Sequence, residues 1–352
     1  MLLYIHIPFC DSKCSYCAFN TYVDKFHLKE SYMEALLKQL QAQLKQFKAE
    51  KESIETLFIG GGTPSSVSPK LFEPIFKLLA PYLQNNSEIT SEANPNSATY
   101  EWLEGMHKLG VNRISFGVQS FDEKKLKILN RAHNPEMAIE SVQNAAKIGY
   151  KNLSIDLIYA TLGDTKELLE HDIKTAFSLP INHISAYALT IEEGTAFEGK
   201  KEMSSEQLSL TNWLFKKIEE HGFHQYEISN FGSYQSAHNR GYWLYKDYIG
   251  VGAGAVAKLG SKRYYSEPNI ETYIQNPLTH TSESLTQEDI KLEKIFLGLR
   301  SDIGFDVDLL NINEQKAAQY LLNENKLIQK ERRIYNKNFL LADEIALYLE
   351  AH

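Results

Sequence analysis

Disulfides are the first thing this sequence cannot build. It holds 3 cysteines in 352 residues, all between positions 10 and 17, whereas a disulfide framework uses an even set spread along a small secreted chain. Long apolar runs are missing too, and nothing approaches the roughly 18 residues of a membrane-spanning helix. Positive charge is in deficit, with 37 Lys+Arg against 45 Asp+Glu and a net charge of -8. That balance argues against a broad electrostatic grip on nucleic acid or on an anionic membrane. The opening Met1-Leu2-Leu3-Tyr4-Ile5-His6 has neither the basic region nor the cleavage site of a signal peptide, so a cytoplasmic location is expected. No internal repeat or low-complexity tract stands out.

What is present suits a soluble α/β protein. Hydrophobic residues make up 43% and charged residues 23%, enough for a sizeable core without staples. Short apolar runs at Leu3–Ile7, Thr56–Ile59, Glu88–Glu92, Arg113–Val118, Leu153–Ile158 and His183–Leu189 read as strands. Helical spacing fills the gaps at about 28–50, 68–84, 98–109, 135–148 and 165–178. This alternation means βαβ units and a parallel sheet; periodicity alone leaves a partial barrel and a doubly wound sheet both open. Near residue 200 the rhythm breaks into a helix over Ser204–Gly222, a strand-like YEISNF, then AHNRGYW and the glycine-rich YIGVGAG. From Thr286 the order is helix, helix, short strand pair, helix, like a winged helix. With 9 Lys+Arg and 12 Asp+Glu, residues 286–352 are too acidic for a DNA-binding wing.

The cysteines carry the chemistry. Cys10, Cys14 and Cys17 follow the first strand in a C-x3-C-x2-C spacing. Thiolates suit zinc or iron–sulfur centres. Structural zinc wants four protein ligands, and a 4Fe-4S cluster usually takes four cysteines. With three, one iron stays open to a small molecule. Zinc held with the help of His6, or a reactive cysteine trio, are the alternatives.

In a parallel barrel the active site lies where strands end at their C-termini. Here the strands run into the cysteines, then Gly60-Gly61-Gly62-Thr63-Pro64, Glu92, Gln119, Asp156 and Thr190. Three glycines allow close backbone approach to a ligand with N–H groups aimed at it, or simply a tight turn. Glu92 and Asp156 are either caps or partners for a cationic ligand bearing ribose hydroxyls. Arg131 can hold a carboxylate bidentately.

The cysteine spacing, with an aromatic residue before the last cysteine, resembles the radical S-adenosylmethionine superfamily. The resemblance implies a 4Fe-4S cluster on Cys10, Cys14 and Cys17 and S-adenosylmethionine on the open iron. Electron transfer from the cluster would then cleave the sulfonium C–S bond to a 5′-deoxyadenosyl radical. YIHIPFC, GGGTP, EANP, FGVQSF, NR at 130–131 and DLIY at 156–159 extend the likeness to the oxygen-independent coproporphyrinogen III oxidase group over the whole chain. By that likeness Tyr4, Tyr16, Gly61, Gly62, Thr63, Glu92, Gln119, Arg131 and Asp156 contact S-adenosylmethionine. The fold implied is a partial (βα)6 radical-SAM barrel over 1–200, an α+β extension over 201–285 and a small winged-helix-like module over 286–352.

Phe19 stands where the oxidases have a fourth cysteine, and only three residues precede Tyr4. Both features resemble the sister group of heme chaperones, as does HNxxYW at His238–Trp243. That likeness implies heme as a further bound group and delivery to a respiratory acceptor protein. It also implies a reductant for the cluster and no oxidase activity; oxidative decarboxylation in porphyrin biosynthesis is the alternative. Family members can dimerise, and peripheral membrane contact stays open. His238, flanked by Tyr242 and Trp243, is the heme-ligand candidate, against a histidine simply hydrogen-bonded in a turn. One departure is Ala160-Thr161-Leu162-Gly163, where the family has a glycine-proline-glycine turn.

Overall fold

In the computed structural model, residues 1–205 and 207–352 are described. The chain begins with six strand–helix steps. These are β1 (Leu2–Ile7), α1 (Lys29–Gln46), β2 (Ile54–Gly61), α2 (Pro69–Leu79), β3 (Leu83–Ala93), α3 (Tyr100–Lys108), β4 (Arg113–Gln119), α4 (Glu123–Ile128), α5 (Pro135–Ile148), β5 (Asn152–Tyr159), α6 (Lys166–Phe177) and β6 (His183–Ala188). β1 to β6 lie side by side in chain order and all parallel. Each crossover adds the next strand at the same edge, which curls the sheet into a partial barrel rather than a doubly wound sheet.

The barrel does not close on itself; later strands cover both edges. Following β6 come α7 (Leu208–Glu220), β7 (His224–Gln225), β8 (Asn230–Gly232), α8 (Ala237–Trp243), β9 (Tyr248–Val251), β10 (Val256–Leu259), β11 (Lys262–Ser266), α9 (Ile270–Gln275) and β12 (His280–Ser284). β8 pairs antiparallel with β6, and β9 pairs parallel with β1, so twelve strands run β12-β11-β10-β9-β1-β2-β3-β4-β5-β6-β8-β7. Edge strands are templates for aggregation, and the extension hides the apolar β1 edge. The last part is α10 (Gln287–Leu299), β13 (Phe305–Asp306), α11 (Ile312–Asn323), β14 (Leu327–Lys330), β15 (Arg333–Asn336) and α12 (Ala342–Glu350). It has its own apolar core around Leu299, Phe305, Leu321 and Ile345, apart from the main core between the sheet and its helices. Among the described residues no helix is long and apolar enough to cross a membrane.

Several boundaries differ from the sequence expectation. The helix expected to 84 stops at Leu79, because Pro81 has no N–H with which to continue the helical ladder; β3 then starts at Leu83. α4 was not foreseen, being a six-residue helix. YEISNF is not one strand: only Asn230 and Phe231 are extended. Glu227 instead bridges to Ser301, and the Ile228 N–H donates to Arg300 O at 2.9 Å, so this stretch pairs with the C-terminal module before β8 begins. AHNRGYW is helical as α8, with the Ser236 side chain accepting from the Asn239 N–H as its cap.

Candidate functional site

Strand alternation sends every second residue of the barrel strands inward. In register, Gly60 follows Phe58, Glu92 stands beside Ser115 and Ser115 beside Ser154; one step further along, Asp156 stands beside Ser185 and Ile158 beside Tyr187. The inward column thus becomes polar toward the C-terminal strand ends. There it opens into a cavity of about 580 Å³, within the size range of small-molecule sites. Cys10, Cys14, Cys17, Tyr16, Gly61, Gly62, Glu92, Gln119, Arg131 and Asp156 all line it. Residues from five strand ends and the cysteine loop are therefore brought to one mouth.

The cysteine loop is tied down from two sides. Cys10 N–H donates to Tyr22 O at 3.0 Å and Ser15 N–H to Leu129 O at 3.1 Å. Asn130, in left-handed backbone at φ 55, donates from Nδ2 to Lys13 O at 2.8 Å. From the extension, Ala253 O and Pro268 O accept from Asn20 Nδ2 at 3.0 and 2.8 Å. Burial pushes the Cys10 thiol up to about 11 and raises Cys17 as well. A reactive cysteine needs the opposite shift, so Cys10 and Cys17 are not built as nucleophiles. The zinc alternative loses its fourth ligand: His6 Nδ1 is engaged by Tyr4 Oη at 2.9 Å and Nε2 by Asn20 O at 3.0 Å. Among the described residues no three His, Cys, Asp or Glu side chains converge on a point one ion could fill. Three soft donors set apart around a cavity edge suit a polynuclear cluster, which offers each thiolate its own iron.

Each thiol also has a hydrogen-bond donor. Thr63 Oγ1 donates to Cys10 Sγ at 3.4 Å, Arg131 Nη1 to Cys14 Sγ at 3.1 Å, and the Phe19 backbone reaches Cys17. Tyr4 and Thr63 stand behind the cavity wall, where Thr63 also accepts from Asn94 Nδ2 at 2.9 Å.

The two carboxylates are half-buried in the cavity wall, and among the described residues neither has a cationic partner in direct contact. Burial first, and the nearby Asp156 second, push Glu92 up to about 8, against the pull of the Gly61 N–H at 3.0 Å. Burial also raises Asp156, opposed by hydrogen bonds from Ser185 and Ser115. Paired carboxylates that burial holds toward the neutral form invite a cation.

The glycine triplet works differently from the expectation of N–H groups aimed at a ligand. Gly61 N–H goes to Glu92 and Gly62 N–H to Ile7 O at 2.7 Å. A Cβ on Gly61 would meet His6 at 2.5 Å, and one on Gly62 would meet Ile7 O and Phe9 O at 2.9 Å and Cys10 Sγ at 3.0 Å. The glycines let β2 press against the cysteine loop. Bidentate holding of a carboxylate by Arg131 is also corrected: Nη2 donates to Asn94 Oδ1 at 2.8 Å and Gly117 O at 2.5 Å, and only Nε lacks a partner.

His238 lies elsewhere. It is buried near the N-terminal strand ends, with Nδ1 engaged by Thr56 Oγ1 at 2.7 Å and Nε2 by Tyr242 Oη at 3.0 Å. Its ring stacks on Phe58 at 5.1 Å, and burial lowers it to about 3. No ring nitrogen is left for iron, so this arrangement is that of a structural histidine. Missed at the mouth were Asn94 and Tyr187, which line the cavity. Asn94 sits two residues after Glu92 and Tyr187 two after Ser185, so strand alternation was the available signal.

The family model described as the Radical SAM superfamily matches residues 4–176. The heme chaperone HemW of Bacillus subtilis is 37% identical over 320 residues, spanning 86% of this chain and 83% of that protein. HemW of Lactococcus lactis is 32% identical over 367 residues, spanning 97% and 95%. The structure of coproporphyrinogen III oxidase HemN from Escherichia coli superposes with a TM-score of 0.83 at 21% identity, over 99% of this chain and 89% of that one; it shares the fold. Three thiols at the mouth of a partial parallel barrel, with relatives this similar over most of both chains, make the chain a member of the radical SAM superfamily and, within it, of the HemW heme chaperone family.

Proposed function

We propose that this chain is a heme chaperone that carries a 4Fe-4S cluster and S-adenosylmethionine at the barrel mouth and hands heme to an acceptor protein. The observation that carries the cofactor part is the set of three buried or half-buried thiols edging a cavity that also holds Glu92 and Asp156. In this reading Cys10, Cys14 and Cys17 hold the cluster, and Glu92 and Asp156 receive the cationic ligand and its hydroxyls. Gln119 and the free Nε of Arg131 supply donors, and Tyr16 closes the side next to the loop. When bound, the cluster supplies one electron at a time to whatever occupies the cavity. The protein's own share is to seat the thiols, exclude water from two carboxylates and keep the mouth open on one side.

For heme, the support is the relatives' name and the residue in place of a fourth cysteine. Phe19 is 68% exposed at the cavity edge, an apolar group where a ligand or catalytic thiol would otherwise stand. His238 is left out of the proposed heme ligands, because both of its nitrogens are engaged. Anaerobic purification tests the proposal. The expected result is four irons and four sulfides per chain, followed by a stoichiometric Soret shift on adding hemin. Loaded protein with no Soret shift, or turnover of coproporphyrinogen III to protoporphyrinogen, would replace the chaperone reading with the oxidase.

A further inference from the structure

Arg131 donates to a sulfur of the cysteine loop, and among the described residues it has no carboxylate partner. Its guanidinium is wedged beneath the loop: Nη1 on Cys14 Sγ at 3.1 Å, Nη2 on Asn94 Oδ1 at 2.8 Å and on Gly117 O at 2.5 Å. Space for it is made by a missing side chain, since a Cβ on Gly117 would meet Arg131 Nη2 at 3.1 Å and Asn94 Oδ1 at 3.2 Å. A cation drawn out of bulk water, as this half-buried one is, is costly unless an anion neutralises it. Its other partners, Asn94 Oδ1, Gly117 O and the Tyr16 hydroxyl, are uncharged polar groups, so the Cys14 sulfur is the contact that carries negative charge when it ligates a cluster. Of the three thiol donors, Thr63 and the Phe19 amide are neutral; Arg131 alone is charged.

We propose that Arg131 is a positioning residue that sets the reduction potential of the cluster through the Cys14 sulfur, rather than a clamp on the carboxylate of S-adenosylmethionine. This rests on the cluster reading above. Reduction adds one electron, taken from a low-potential one-electron donor, and no proton moves. A fixed positive charge on a ligand sulfur stabilises the more negative reduced state over the oxidised one. Nη2 is spent on Asn94 and Gly117, so the end-on fork of the two Nη groups is not free for a ligand carboxylate.

Anaerobically loaded full-length protein, with iron and sulfide counted first, is titrated with mediator dyes and followed by visible and electron paramagnetic resonance spectra. At a fixed applied potential the reduced-to-oxidised ratio in Arg131→Gln is expected to fall about tenfold, equivalent to about 59 mV for one electron. Arg131→Lys, which keeps the charge, should stay within about threefold of wild type. Asn94→Asp leaves Arg131 in place but sets a carboxylate against Nη2, and should lower the ratio severalfold. The affinity for S-adenosylmethionine, measured on the oxidised protein, should fall less than tenfold in Arg131→Gln. A ratio within twofold of wild type in either loaded Arg131→Gln or Asn94→Asp overturns the proposal. So does a hundredfold loss of S-adenosylmethionine affinity at unchanged potential. If Arg131→Gln takes up no cluster, Asn94→Asp decides alone. Wild-type protein without four irons and four sulfides would instead overturn the cluster reading itself.

Discussion

Glu92 shows how one half-buried side chain makes binding depend on pH. Its ordinary value near 4.5 is pushed to about 8 by burial and by Asp156. The fold therefore favours the neutral acid, and stability that is full below pH 4.5 is lost as pH rises toward 8. A cationic ligand favours the ionised form, so binding must release a proton below pH 8. The affinity for S-adenosylmethionine should rise between pH 6 and pH 8 in a calorimetric titration. Glu92→Gln should bind more weakly, show no such slope, and at pH 8 be more stable than wild type by on the order of 2 kcal/mol. A slope surviving in Glu92→Gln would assign the proton elsewhere. At the barrel floor, His238→Ala removes a buried ring and its two hydrogen bonds. It should cost about 2–4 kcal/mol of stability while leaving the hemin Soret shift of the folded protein intact. Ala160 sits at φ 60, where the related turn has glycine. Ala160→Gly should stabilise the chain by about 1 kcal/mol, read as a rise in the denaturation midpoint.

Among elements, the β2 end and the cysteine loop are fitted to each other. Gly62→Ala puts a methyl against Ile7 O, Phe9 O and Cys10 Sγ, and overpacking of this kind costs about 1–3 kcal/mol. The expected outcome is a lower iron content after reconstitution and a lower melting temperature; full iron at wild-type stability would mean the loop yields freely. The core strands were legible from the chain alone because their apolar residues are continuous, and the polar residues closing them, from Glu92 to Asp156, stand out against that background. The direction of the glycine N–H groups was not, since it depends on where β1 and β3 lie. Nor was the packing of His238, whose partner Thr56 is 182 residues away. α4 is short and mostly charged, so it has little periodicity to read. The break at Glu227 comes from its bridge to Ser301 in the C-terminal module, a distant partner that local propensity does not record.

The whole molecule is braced at two opposite ends. At the mouth, the extension holds the cysteine loop through Asn20, and Lys25 pairs with Glu271 at 2.6 Å. At the floor, the C-terminal module meets the extension: Arg240 pairs with Asp302 at 2.7 Å, Tyr245 donates to Glu293 at 2.5 Å, and Ile228 N–H donates to Arg300 O at 2.9 Å. None of these floor contacts touches the cavity wall. A chain ending at residue 285 should therefore fold, because it keeps all twelve strands of the main sheet, and should still take up wild-type iron and sulfide. A chain ending at residue 200 loses β9, which covers the β1 edge at Leu2–Ile5, and loses both carbonyl partners of Asn20. That piece should aggregate and hold no iron. Iron counted on the two purified truncations checks this directly. Loss of the cluster from the longer piece would mean that floor and mouth are coupled, so that the module's contacts with α8 govern how the cysteine loop is held.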